Sequence, residues 1–416
     1  MTDPTPRKDT AMALPSTRWP DLAELQRTHP MCDAVIDEID GRRIRIGDDW
    51  LIDFASCNYL GFDLEPEIQA AIAPAVRRWG THPSWSRLLG SPRLYVDVED
   101  RLTELLHAPD VLALPTITLI HDAVVPALAA GGTVFVEARG HRSLYDAAKA
   151  ATTTGATLQR FRAEDLDGLR TALARAAAPR LVCLDGVNSM TGNLPDLADI
   201  AAVCARYDAT CYVDDAHGFG VIGERQPGET SPYGMRGNSV LRHLDVGYDH
   251  VILVGGCSKA YSSLLAFLAL PTPVKEHLKI AAAPYLYSGP SPTASLATVL
   301  AGLDVNERRG DALRADLYRR TARVLDTVRT LGLVTPNRSG LPVIELPIGA
   351  AGIAEVGQFL YDRGIYVTLA PYPLVPRDEV GVRIQVTAAN TDAEIDTLNA
   401  VLIELADRFK LPREQA

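Results

Sequence analysis

The stretch "HVILVGGCSKAYSS" (residues 250–263) decides how this chain is read. Its apolar run ends on two glycines, and one lysine, Lys259, follows among small residues. A short apolar run bounded by turn residues reads as a strand buried on both faces. Lysine is scarce here. The chain has six, Lys8, Lys149, Lys259, Lys275, Lys279 and Lys410, and arginine carries nearly all other positive charge. Arginine cannot replace a lysine that must lose its proton. Lys259 therefore reads as either a surface charge or a nucleophile at the end of a buried strand, and the rest of the chain decides between them.

Working outward, similar runs recur at "DVLALP" (110–115), "GTVFVEA" (132–138), "TLQRF" (157–161), "RLVCLDGV" (180–187) and "ATCYVDD" (209–215), with helical stretches between most of them. Such alternation predicts an α/β fold with a mainly parallel central sheet and helices on both faces. Before it, residues 21–40 read as a helix and "RRIRIGDDWLIDFAS" as a hairpin. Residues 223–245, rich in Gly, Pro and polar side chains, read as a long surface loop. A long helical region (292–332) is followed by strands in "LPVIELPIG", "GIYVTLAPYP" and "VGVRIQVTAAN" and by a last helix, which gives a smaller α/β domain. The expected division is a disordered leader (1–20), an N-terminal arm (21–60), a large domain (61–291) and a small C-terminal domain (292–416).

Composition narrows the function. With 416 residues, 47% of them hydrophobic, the chain has ample material for a core. A formal net charge of −11 argues against a nucleic-acid partner, which needs a basic surface. No apolar stretch approaches the roughly 20 residues of a membrane span. Six cysteines without CxxC spacing read as reduced thiols of a cytoplasmic protein, and the nine histidines show no metal-ligand spacing.

In parallel sheets, ligands bind at the carboxyl ends of strands. Five strand ends here carry chemistry: Thr116 and Thr118 in "ALPTITLIHDA", His141 in "FVEARGHRSLYDAA", Asn188 and Ser189 in "LVCLDGVNSM", Asp214 and His217 in "CYVDDAHGFGVIG", and Ser258 with Lys259. Pyridoxal 5'-phosphate needs this set. A lysine amine bonds its aldehyde, a carboxylate keeps its ring nitrogen protonated, imidazoles contact its 3-oxygen and ring face, and hydroxyls and helix N-termini hold its phosphate.

These residues resemble the motifs of the α-oxoamine synthases, fold-type I pyridoxal-phosphate enzymes of the aspartate aminotransferase-like fold. The resemblance runs from about Ile36 to the end, through "FASCNYLGF", "SRLLGSPRLYVDVEDRL", "VDDAHGFGVIGERQPG", "YLYSGPSPTASLA" and "VRIQVTAANT". It implies that Lys259 forms the Schiff base and moves the α-proton, Asp214 pairs with the pyridinium, His217 contacts the 3-oxygen and His141 stacks on the ring. It further implies that Ser189 helps fix the cofactor, Arg383 grips the amino-acid carboxylate, Asn58 lies at the substrate end and Ser288 reaches the phosphate from a partner subunit. The implied enzyme is an acyltransferase and a homodimer. It condenses an amino acid with an acyl thioester, from CoA or a carrier protein, and releases carbon dioxide to leave an α-amino ketone.

The chain departs from the family pattern around the phosphate and the acyl channel. Thr116-Ile117 replaces a Gly-Phe pair, Gly256 a threonine, "AYSSLLAF" a glycine-rich turn, Tyr95 a histidine and Leu374 a threonine. These changes leave a second reading open, namely another reaction with the same cofactor: an aminotransferase, a decarboxylase, or carbon–carbon bond formation with a non-thioester electrophile.

Overall fold

The computed structural model describes residues 19–414, so residues 1–18 of the expected leader lie outside it. The first helix spans Pro20–Thr28, shorter than the helix expected over 21–40. Pro30 explains the early stop: the residue before a proline is pushed out of the helical region, and His29 is extended at φ −109°, ψ 128°. An antiparallel ribbon of β1 (Glu38–Asp40), β2 (Arg43–Ile46) and β3 (Asp49–Asp53) follows.

The central sheet holds β4 (Asp110–Leu114), β5 (Thr133–Glu137), β6 (Thr157–Phe161), β7 (Arg180–Asp185), β8 (Ala209–Asp214), β9 (Val251–Gly256) and β10 (Ala266–Leu270). Its order is β4-β10-β9-β8-β7-β5-β6. Strands β5 to β9 pair in parallel, whereas β10 runs antiparallel to both β9 and β4. The sheet is mainly parallel, as the apolar runs imply. The reversed strand "AFLAL" went unread because a short run buried on both faces has no alternation to mark it.

Alternate residues of each strand feed two separate cores. On β8, Cys211 and Val213 join one and Tyr212 the other, and on β9, Leu253 and Val254 divide the same way. Both faces are thus covered.

A 38-residue helix (Thr293–Thr330) leads to β11 (Val343–Pro347), β12 (Ile365–Tyr366), β13 (Thr368–Ala370) and β14 (Gly381–Gln385). Strands β11, β14 and β13 form an antiparallel sheet, while β12 joins β3 of the ribbon. The last helix (Asp392–Phe409) starts at a capping box formed by Thr391 and Glu394.

The segment over 223–245 is not a surface loop throughout. Its tip is exposed, but Tyr233, Asn238 and Ser239 are buried, and a short helix (Val240–His243) ends it. Asn238 accounts for this, because its side chain bonds Glu224 and the backbone of Leu105 and Glu224. Fully buried Arg314 of the long helix donates to the Gly220 carbonyl at 3.0 Å and to Asn306 at 2.7 Å. The long helix is thereby tied to the loop after β8.

Candidate active site

Lys259 stands in the turn between β9 and β10. Cys257 N–H donates to the Leu265 carbonyl at 2.8 Å, and Ser263 N–H to the Cys257 carbonyl at 2.9 Å, which closes the turn. Cys257, Ala260 and Tyr261 are fully buried anchors. The Tyr261 ring stacks on Phe219 at 4.9 Å. Gly220, at φ +85°, lets the two loops meet, since a Cβ there would lie 2.6 Å from the Ala260 Cβ. The lysine is left at the wall of a cavity of about 180 Å³, shared with Asp214, His217, His141 and Ser189.

Asp214 ends β8. Its Oδ1 accepts the Ala216 N–H at 3.0 Å, and its Oδ2 lies 2.9 Å from His121 Nε2. Burial alone would raise this carboxyl, but the hydrogen bond from His121 and the nearby positive charge of Lys259 outweigh it and hold the group below its ordinary value. Burial pushes the Lys259 amine down, against the pull of Asp214. The pair is thus an ionised carboxylate facing an amine that loses its proton more easily than a free lysine.

Both histidines are held neutral. Burial, then the positive charges of Lys259 and Arg383, pushes His217 well below its ordinary value, and its Nδ1 lies 2.7 Å from the Tyr59 hydroxyl. His141 caps the helix Arg142–Ala151 with Nδ1 2.7 Å from the Ser143 hydroxyl, and burial pushes it down as well. Its backbone N–H donates to Asp185 at 2.9 Å. Asp185 pairs in register with Asp214 across β7 and β8, and burial and then the Asp214 charge push its carboxyl well up.

The hydroxyls gather at one end. Thr116 caps the helix Ile117–Ala129 by accepting the Leu119 N–H at 3.2 Å, and Thr118 and Ser258 stand exposed on the same cavity wall. The absence of a side chain at Gly256 has a local cause: a Cβ there would lie 2.5 Å from the Ile117 Cδ1. Ile117 fills the space that a threonine would need, so these two departures from the family pattern are coupled.

Three expected residues are not among the walls of this cavity. Arg383, on β14, contacts one wall residue, with Nη1 donating to the Ser189 carbonyl at 2.9 Å. Its cross-strand neighbour on β11 is Glu345, whose carboxyl burial pushes up to about 7. The Asn58 amide is turned away onto Asp63 at 3.1 Å. Ser288 lies outside the cavity of its own chain and donates to the Gly289 carbonyl at 2.9 Å. Sequence reading missed two residues of the cavity region, Asp185 and His121. Asp185 was legible as a strand-end acid. His121 was not, because it sits inside an apolar helix.

A second, larger cavity of about 500 Å³ lies beyond Ser189. Arg139, Asn188, Met190, Tyr372 and Leu374 are among its walls.

This donor set suits pyridoxal 5'-phosphate: an amine, an ionised buried carboxylate, two neutral imidazoles, and hydroxyls at a helix start. The fold and the site define the class, a fold-type I pyridoxal-phosphate-dependent enzyme. The sequence profile of the family "Aminotransferase class I and II" matches residues 50–402. The 8-amino-7-oxononanoate synthase of Stutzerimonas stutzeri is 33% identical over 368 residues, 88% of this chain and 90% of that protein. The solved serine palmitoyltransferase of Sphingomonas wittichii superposes with a TM-score of 0.83 at 25% identity, over 94% of this chain and 96% of that one. A structure described as SPT with its PLP internal aldimine has the same fold, with a TM-score of 0.83 at 22% identity over 91% of this chain and 93% of that one. The chain belongs to the α-oxoamine synthase family, as a divergent member. No helix among the described residues is long and apolar enough to cross a membrane.

Proposed function

We propose that the chain is an acyltransferase that condenses an amino acid with an acyl thioester, with loss of carbon dioxide, to give an α-amino ketone. The observation that carries this reading is that Arg383 donates to Ser189, which lines one cavity while its chain neighbours Asn188 and Met190 line another. One cavity holds the lysine, and the other is large enough for a second substrate. A transaminase needs no second chamber beside its carboxylate grip.

When bound, pyridoxal 5'-phosphate would supply an electron sink for the charge left at the α-carbon as its proton departs. Asp214 would keep the ring nitrogen protonated, neutral His217 would donate to the 3-oxygen, and His141 would lie against the ring and orient the acyl carbonyl. Thr116, Thr118 and Ser258, with Ser189 nearby, would hold the phosphate. Arg383 takes the amino-acid carboxylate in a bidentate grip. Lys259, its amine already shifted down by burial, takes the α-proton.

Ser288 would serve the partner's phosphate site in a cytoplasmic homodimer. Support for that face comes from the exposed apolar side chains of Leu88, Leu89 and Tyr287, brought together where Leu88 N–H donates to the Tyr285 carbonyl at 3.2 Å.

The test is product analysis by mass spectrometry, with single amino acids and with acyl-CoA or acyl-carrier protein added or withheld. The expected result is an α-amino ketone only when a thioester is present. A keto acid formed without any thioester would overturn the reading in favour of an aminotransferase.

A further inference from the structure

The helix Ile117–Ala129 buries one polar side chain completely, His121. An imidazole taken out of water is costly unless both nitrogens are paired. Here both are. Nε2 lies 2.9 Å from Asp214 Oδ2, and Nδ1 lies 3.0 Å from the Tyr212 hydroxyl. Tyr212 and Asp214 are two apart on β8, so they share the strand face that meets this helix. One imidazole brackets both, and its ring packs against Tyr212 at 5.6 Å between centroids.

A satisfied core histidine is common. This one differs in its partner, which is the carboxylate at the end of the buried strand facing Lys259. We infer that His121 is a positioning residue for Asp214, fixing the plane of its carboxylate from behind and supplying the donor that keeps it ionised, while Tyr212 sets which imidazole nitrogen carries the proton. The inference rests on the cofactor reading above and adds to it a residue outside the strand ends.

The geometry supports a directed arrangement. Asp214 Oδ1 is taken by the Ala216 N–H and Oδ2 by His121, so the carboxylate cannot turn without breaking a bond on each side. The Tyr212 hydroxyl donating to Nδ1 leaves the proton on Nε2, aimed at Oδ2. Other charged or titratable groups facing this set are Lys259 from the turn after β9, Asp185 from β7, His141 from the start of its helix, Asp215 beside Asp214, and Cys183 beside Tyr212.

The experiment uses the full chain with added pyridoxal 5'-phosphate. It measures cofactor affinity by fluorescence quenching and the pH midpoint of the bound cofactor's absorption change. His121→Leu removes the donor, His121→Gln keeps one near the place of Nε2, and Tyr212→Phe frees the imidazole. With His121→Leu, affinity should fall on the order of tenfold, as for loss of a hydrogen bond to a charged group. Its midpoint should rise by about one pH unit, because the Asp214 charge has lost a hydrogen-bond donor that spread it and so favours protonated neighbours more strongly. His121→Gln should restore both, and Tyr212→Phe should move the midpoint the same way by less. Wild-type affinity and midpoint in a folded His121→Leu variant would overturn the role. If that variant does not fold, an unmoved midpoint in Tyr212→Phe would overturn it. A wild-type chain that takes up no cofactor defeats the cofactor reading itself, and this inference with it.

Discussion

Lys259, Asp214, His217 and His141 gather at one cavity, and the last three are each held there by a local contact. Asp214 is paired twice, His217 bonds Tyr59, and His141 caps a helix. These four were legible because each follows an apolar run, where a buried strand reaches the sheet's ligand-binding edge. His121 was not, since helical periodicity gives no hint that a partner waits on a strand more than 90 residues away. The neutral state of His217 makes a prediction at this scale. Burial holds its native value well below the ordinary 6.5, so below that pH the unfolded chain binds a proton that the native chain refuses. Stability at this site is therefore present above the ordinary value and is lost as pH falls through it. From pH 7.5 to 5.5, wild type should lose about 1 kcal/mol relative to His217→Gln in urea unfolding. Parallel curves for the two proteins would show that His217 does not titrate this way. Comparison with the variant is needed because Asp185 and Asp215, both pushed up by burial, act in the opposite direction.

At the scale of elements, the turn between β9 and β10 and the start of the helix Ile117–Ala129 form one unit. Strands β4 to β9 were legible as apolar runs with turn residues at their ends. Strand β10 was not, because "AFLAL" lacks alternation and follows a turn unlike the family's. The segment over 223–245 departs from expectation for a related reason: polar composition suggests exposure, but the Asn238 side chain satisfies buried backbone groups. The coupling of Gly256 to Ile117 gives this unit its test. Gly256→Thr should destabilise the fold by about 1–3 kcal/mol through overpacking against Ile117. Adding Ile117→Ala should recover most of that loss, which a double-mutant cycle in urea will measure. Simple additivity of the two losses would show that Ile117 does not fill the threonine's place.

At the scale of the whole molecule, the site lies where β14 of the smaller sheet meets the strand ends of the larger one, where Arg383 donates to the Ser189 carbonyl and contacts the Met190 sulfur. The sequence made both partners visible but not their meeting, which depends on how the 38-residue helix is anchored by Arg314. Asn58, placed by resemblance at the substrate end, donates to Asp63 at 3.1 Å. The central claim is that this arrangement serves one amine. The most direct measurement is to incubate the purified chain with pyridoxal 5'-phosphate, reduce with borohydride, digest, and map the modified peptide by mass spectrometry. A single stable adduct on Lys259, absent from Lys259→Ala, is expected. Labelling spread over other lysines, or none at all, would contradict it.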